Sequence, residues 1–307
     1  MTPAPARTDN RPPDRLLTAA LWMTGSIAAF SAMAIAGRAV AHRHDTFEIM
    51  TWRSLIGFLL VLVVAGGFGR LTEVRADRLG SHLVRNLFHF TGQNLWFWAL
   101  TMIPLAQVFA LEFTSPIWVI LLSPLVLGER LTPLKLLAAA MGFAGILIAT
   151  RPDFTALQPG MVAAAASAVC FAATSLMTKR LTRGESIVSI LFWLTLMQFC
   201  FGLILALRDG RMNLPDAQTL PWLALIGLAG VTAHTCLTKA LSIAPAGFVV
   251  MVDFLRLPVI AVVGALWYAE PLDPLVIAGA AVILGANLVN LRAQKARSPD
   301  NVSVTKL

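Results

Sequence analysis

Glu112 and Asp253 stand inside long apolar runs, where little water can solvate a carboxylate. A charge in such a run is costly and usually faces the interior of a helix bundle. A carboxyl group there has two chemical uses: it can bind the amine of a solute, or it can cycle a proton in low dielectric. Arg256 follows Asp253 by three positions and shares its helical face. It can form an internal ion pair with Asp253, or its planar fork can hold a solute carboxylate. Glu112 has no basic neighbour on its own helix.

A second group of polar residues lies on one apolar stretch. Asn86, His89, Gln93 and Asn94, with Phe97, recur at spacings of three and four, which places most of them on one face of a helix. Such a stripe either lines a cavity or bonds to neighbouring helices. His234, in a later stretch, is 141 positions from Gln93, the same interval that separates Glu112 from Asp253. The histidines lack metal-ligand spacing and read equally as helix-packing groups, so no metal or cofactor is expected. Trp118 lies deep in its apolar run and is a candidate cavity residue. Trp96, Trp98, Trp222 and Trp267 lie near run ends and suit an interfacial belt. Cys170, Cys200 and Cys236 lack disulfide or zinc spacing.

The elements that position these residues are read from the apolar runs. The chain has 307 residues, of which 57% are hydrophobic and 13% charged. Soluble domains carry about 25% charged residues. The runs are about twenty residues long, enough to cross a hydrocarbon core of about 30 Å. Helices are expected over 16–37, 47–67, 84–102, 105–127, 133–150, 160–179, 187–207, 220–240, 246–268 and 274–291. The fold class is therefore all-α integral membrane, with ten transmembrane helices and the lipid bilayer as its surroundings. Pro116 and Pro258 are expected to kink two of them. Sixteen Lys and Arg fall in the segments on the N-terminal side of the membrane and five in the opposite segments. That bias places both termini in the cytoplasm. It also accounts for the net charge of +8 without nucleic acid. Ala138 with Gly142, and Ala281 with Gly285, form close-packing surfaces on which a homodimer could form.

The interval of 141 runs through the chain. It aligns Phe30 with Phe171, Arg38 with Lys179, Trp52 with Trp193, Pro104 with Pro245, Glu129 with Glu270, and Pro133 with Pro274. Each half holds five helices, an odd number, so the second half enters the membrane from the opposite side: an inverted repeat. Such repeats are typical of secondary transporters. The domain reading is a tail over 1–15, a first repeat over 16–150, a linker over 151–159, a second repeat over 160–291 and a tail over 292–307.

Ile103-Pro104-Leu105-Ala106 with Leu127-Gly128-Glu129-Arg130-Leu131-Thr132-Pro133, and Ala244-Pro245-Ala246 with Tyr268-Ala269-Glu270-Pro271-Leu272-Asp273-Pro274, resemble the matching segment of EamA-type repeats. The resemblance, over residues 16 to 291, is to the drug/metabolite transporter superfamily. It implies a bacterial inner-membrane carrier of small metabolites working by alternating access. Members export amino acids and related metabolites, and others import nucleotide sugars, sugar phosphates or vitamins. Amino-acid export is the expected activity, because two acids, an arginine and several amides suit a zwitterion. An intramembrane enzyme would need a nucleophile with its base or a motif such as His-Glu-x-x-His or Gly-x-Gly-Asp, and the sequence has neither motif. A channel would be recognised by large unitary currents.

Overall fold

The computed structural model describes residues 13–127, 132–150, 158–181, 184–243, 252–253, 255–271 and 273–295. Most of the expected tails, the linker and the first part of the helix expected over 246–268 lie outside them. The helices are α1 (Pro13–Val40), α2 (Thr46–Gly67), α3 (Leu79–Met102), α4 (Leu105–Glu112), α5 (Ser115–Leu127), α6 (Pro133–Thr150), α7 (Pro159–Leu181), α8 (Ile187–Ala206), α9 (Leu220–Ile243), α10 (Arg256–Tyr268) and α11 (Pro274–Lys295).

Local chemistry sets several of these ends. Asp45 caps α2 by accepting from the Glu48 N–H, and Glu48 reaches back to the Asp45 N–H. This reciprocal pair satisfies two backbone donors that the first turn leaves open. Ser186 caps α8 by accepting from the Ser189 N–H, without a reciprocal bond. Asp216 accepts from the backbone N–H groups of Gln218 and Thr219 just before α9. The bond from Thr219 is the main reason its carboxyl is held below its ordinary value. That contribution is present above the ordinary carboxylate range and is lost as pH falls through the lowered value.

The expected single helix over 105–127 is two helices, with Phe113 and Thr114 between them in a turn. Pro116 explains the break: it has no N–H for the carbonyl of Glu112, and its ring crowds that carbonyl. Glu112 thus ends α4, at an interruption. Asp253 stands just before a matching interruption, with Leu255 in the turn and α10 beginning at Arg256.

Among the described residues, six helical stretches are long and apolar enough to cross a membrane, within 17–40, 46–67, 105–122, 159–178, 187–206 and 220–237; shorter apolar helices lie over 136–145, 259–268 and 274–286. The helix expected over 84–102 falls short because its inner face carries the polar stripe. The bundle exposes large apolar side chains and buries a set of polar ones within a mostly apolar core. Leu125, Val63, Ile204 and Leu266 are exposed, whereas Arg53, His82, Arg85, Asn86, His89, Gln93 and Gln198 are buried. This inversion suits lipid, which solvates alkyl groups but no backbone or charge.

Helices pack mainly across the two halves of the chain: α1 on α9, α3 on α7, α2 on α8, α4 on α10 and α6 on α11. Glycines bring these pairs close. A Cβ at Gly145 of α6 would lie 2.7 Å from Ile283 and 2.8 Å from the carbonyl oxygen of Gly279 on α11. One at Gly142 would overlap Ile117. The small residues of α6 are thus used within the chain and leave little for the expected homodimer surface. Gly145→Val should therefore lower stability by about 1–3 kcal/mol. It should be seen as a fall in melting temperature in detergent. Gly67→Ala, with nothing within 4 Å of the added Cβ, should not change it.

Candidate functional site

Where the interruption after α4 meets the start of α10, Arg256 is buried at 5% exposure. Its Nη2 lies 3.2 Å from Glu112 Oε1 and 3.1 Å from Asp253 Oδ2. Trp96 of α3 donates from Nε1 to the other Glu112 oxygen at 2.8 Å. The rings of Phe30, Phe109 and Phe113 surround the guanidinium, with centroids 4.8, 5.1 and 4.9 Å from its carbon. Stacking on aromatic faces suits a guanidinium removed from water. One cation therefore serves two acids. If all three groups are ionised, the cluster carries one negative charge in excess. Among the described residues, Asp253 Oδ1 and Arg256 Nε are both buried without a hydrogen-bond partner.

Phe30 links this cluster to the imidazoles. Its ring lies edge-on to His234 at 5.5 Å, His234 lies 6.1 Å from His89, and His89 lies 6.1 Å from Phe171. On α3, both His89 ring nitrogens, Gln93 Oε1 and Asn94 Oδ1 are buried without partners among the described residues, while Asn94 donates to the Phe90 carbonyl at 2.8 Å. Buried polar atoms are normally paired, so this concentration of open ones sets the stretch of α3 apart. A separate cavity of about 340 Å³ lies among α4, α10 and α11. It is walled mainly by alkyl groups such as Leu257, Ala261, Val276 and Leu284, and none of the residues expected for the site lines it.

One end of the bundle is closed by a clamp. Arg38 at the end of α1 donates to the carbonyls of Leu100 and Ile103, at 2.6 and 2.8 Å, and pairs with Glu270 beyond α10. Glu270 also accepts from the Leu105 N–H at 2.9 Å. Ala269 turns the chain back with φ of 51°, and Gly264 leaves room for the carboxylate: a Cβ there would lie 2.5 Å from Glu270 Oε2.

The EamA-like transporter family model matches residues 17–151 and again 158–292. The chain belongs to the EamA-like transporter family. A riboflavin transporter of Brucella anthropi is 31% identical over 282 residues, covering 90% of this chain and 99% of that protein. An S-adenosylmethionine uptake transporter of Rickettsia felis is 23% identical, with 91% and 94% covered. A pseudopaline exporter of Pseudomonas aeruginosa is 28% identical, with 81% and 87% covered. One protein of known crystal structure superposes with a TM-score of 0.64 at 19% identity, covering 92% of this chain and 99% of its own, which shows the shared fold. This EamA-like protein is thus a multi-pass membrane transporter of the drug/metabolite superfamily, and its named relatives are transporters rather than enzymes.

In this transporter, Glu112, Asp253 and Arg256 come together, and His89 meets His234. Trp118 does not join them: its Nε1 donates to Thr114 and its ring packs edge-on against Phe143 of α6, at 5.2 Å. Trp96 departs from the interfacial belt expected of it, being 2% exposed and bonded to Glu112, whereas Trp98, Trp222 and Trp267 are exposed. Position near a helix end cannot tell an inward face from an outward one. The three phenylalanines around Arg256 carried no signal in the sequence beyond Phe30's place in the repeat.

Proposed function

We propose that this EamA-like transporter is a secondary carrier that moves a planar, hydrogen-bonding metabolite of the flavin class across a bacterial cytoplasmic membrane by alternating access. The observation that carries the reading is that both acids are already engaged by Arg256. The polar atoms left open on α3 belong to amides and an imidazole, with the Phe171 ring against His89. Such a lining offers hydrogen bonds and aromatic faces, not a free carboxylate for an amine. The relatives named as riboflavin transporters support the same solute class.

The carrier has ten transmembrane helices in two inverted halves, residues 16–150 and 160–291, with both termini in the cytoplasm. Supporting the halves, α2 and α8, α3 and α9, α5 and α10, and α6 and α11 each begin 141 residues apart. In this orientation the Arg38–Glu270 clamp closes the outer end. The site residues are Gln93, Asn94 and His89 for the solute, His234 beside them, and the Glu112–Asp253–Arg256 cluster for coupling, where a proton balances the excess charge. A second reading, export of an amino-acid-like zwitterion, draws on the open Asp253 Oδ1 as an acceptor for an amine and on the pseudopaline exporter among the relatives.

Liposomes holding the purified protein distinguish the readings. Riboflavin fluorescence should report saturable entry into the vesicles. Gln93→Leu should weaken it about tenfold, the value of one hydrogen bond of about 1.4 kcal/mol. Counterflow of amino acids with no movement of riboflavin would overturn the flavin reading and favour the zwitterion.

A further inference from the structure

Arg53 of α2 and Arg85 of α3 lie inside the bundle, at 7% and 6% exposure. Arg38, Arg43, Arg70 and Arg256 each pair with a carboxylate, but among the described residues none lies within 4 Å of Arg53 or Arg85. Arg85 donates only to neutral oxygens, Thr178 Oγ1 at 3.1 Å and Asn86 Oδ1 at 2.9 Å. Among the described residues, Arg53 Nε has no partner, and neither does the neighbouring Ser54 hydroxyl. The two guanidiniums are near enough for the charge of one to act on the other. Two buried like charges without a counter-charge are strongly unfavourable. Neither group escapes to the membrane surface, since Arg53 lies seven residues into α2, about 10 Å along the axis.

The chain keeps space at this point. Gly230 of α9 faces Arg53, and a Cβ there would sit 3.0 Å from Nη2 and 3.1 Å from Nε. A cavity of about 30 Å³ is bordered by Arg53, Ser54, Gln198 and Gly230. One water needs about 10–15 Å³ measured in this way, so the space suits a monatomic anion or the head of a carboxylate. Waters alone would fill it without supplying charge.

We propose that Arg53, with the Ser54 hydroxyl, binds one small anion in this cavity, supplied as free halide or as the carboxylate of a small solute. The site goes beyond the flavin reading and does not depend on it, because its test reads binding and not transport. The full-length protein in detergent is melted in sodium HEPES, whose bulky sulfonate does not fit the cavity, with chloride or acetate replacing it at constant ionic strength. A saturable rise in Tm of about 3–5 °C is expected from an anion that binds only the folded protein. A rise with chloride and none with acetate identifies free halide. A rise with acetate and none with chloride identifies a solute carboxylate, and a rise with both identifies a site open to either. Arg53→Gln should abolish the rise and melt no lower than the wild type in sodium HEPES, since a stranded cation has been removed. Arg53→Lys should keep part of the rise. If Arg53→Gln does not fold, Ser54→Ala serves in its place and should weaken the rise, and the wild-type titration still decides. No saturable rise with either salt, or an equal rise in the glutamine variant, overturns the proposal.

Discussion

Arg256→Gln is expected to abolish transport and to destabilise the protein by about 3–5 kcal/mol, the usual cost of removing one partner from a buried ion pair. The effect should exceed that of Glu112→Gln or Asp253→Asn, because Arg256 is the shared member. Losing one acid leaves the cation with the other at 3.1 or 3.2 Å. Losing the arginine leaves both acids without it, and leaves the rings of Phe30, Phe109 and Phe113 around an uncharged amide. Thermal melting of the three variants ranks these costs directly. Transport then separates the roles of the acids. If they carry a proton, Glu112→Gln and Asp253→Asn should remove pH-driven movement and leave solute counterflow largely intact. If they hold the solute, both modes fall together. A melting temperature for Arg256→Gln no lower than for the acid variants would rule out a shared central cation.

The sequence made part of this cluster visible. The interval of 141 marked Glu112 and Asp253 as equivalents before any coordinates, and three-residue spacing marked Arg256 as the partner of Asp253. What stayed hidden was the partner of Glu112. A helix read in isolation shows only its own i+3 and i+4 neighbours, and the cation that reaches Glu112 comes from α10, in the other half. Trp96 was hidden for a related reason: lying near the end of an apolar run fits both a membrane-interface residue and an inward donor. Pro116 was legible as a distortion. That it ends a helix at Glu112 follows once the missing N–H is matched to the carbonyl four residues earlier. Arg53 and Arg85 could be seen as intramembrane charges, but the absence of a carboxylate beside them is a tertiary fact that no spacing rule reports.

Glu270→Gln is expected to open the end of the bundle that Arg38 holds shut. The clamp joins three parts of the chain: the end of α1, the turn between α3 and α4, and the segment after α10. Its charged side chains are only 17% and 14% exposed, so water competes weakly for them. A glutamine can still accept from the Leu105 N–H, but it no longer offers a charge to Arg38. Charge-assisted bonds are about twice as strong as neutral ones. A loss of about 1.4 kcal/mol would raise the open population about tenfold. The measurement uses Gln93→Cys as a reporter, because Gln93 is buried behind the clamp at 4% exposure. Cys170, Cys200 and Cys236 are replaced by alanine in this background. A membrane-impermeant maleimide added from the clamp side should label the reporter about tenfold faster when Glu270→Gln is present. Arg43→Gln is the control. It breaks an ion pair with Asp216 whose side chains are 43% and 48% exposed. Exposed pairs of this kind contribute at most about 1 kcal/mol, so its labelling rate should match the reporter alone. Equal labelling with and without Glu270→Gln would mean that the clamp does not gate this end, and that the closed arrangement rests on the apolar packing of Ile103 and Leu105 beneath it.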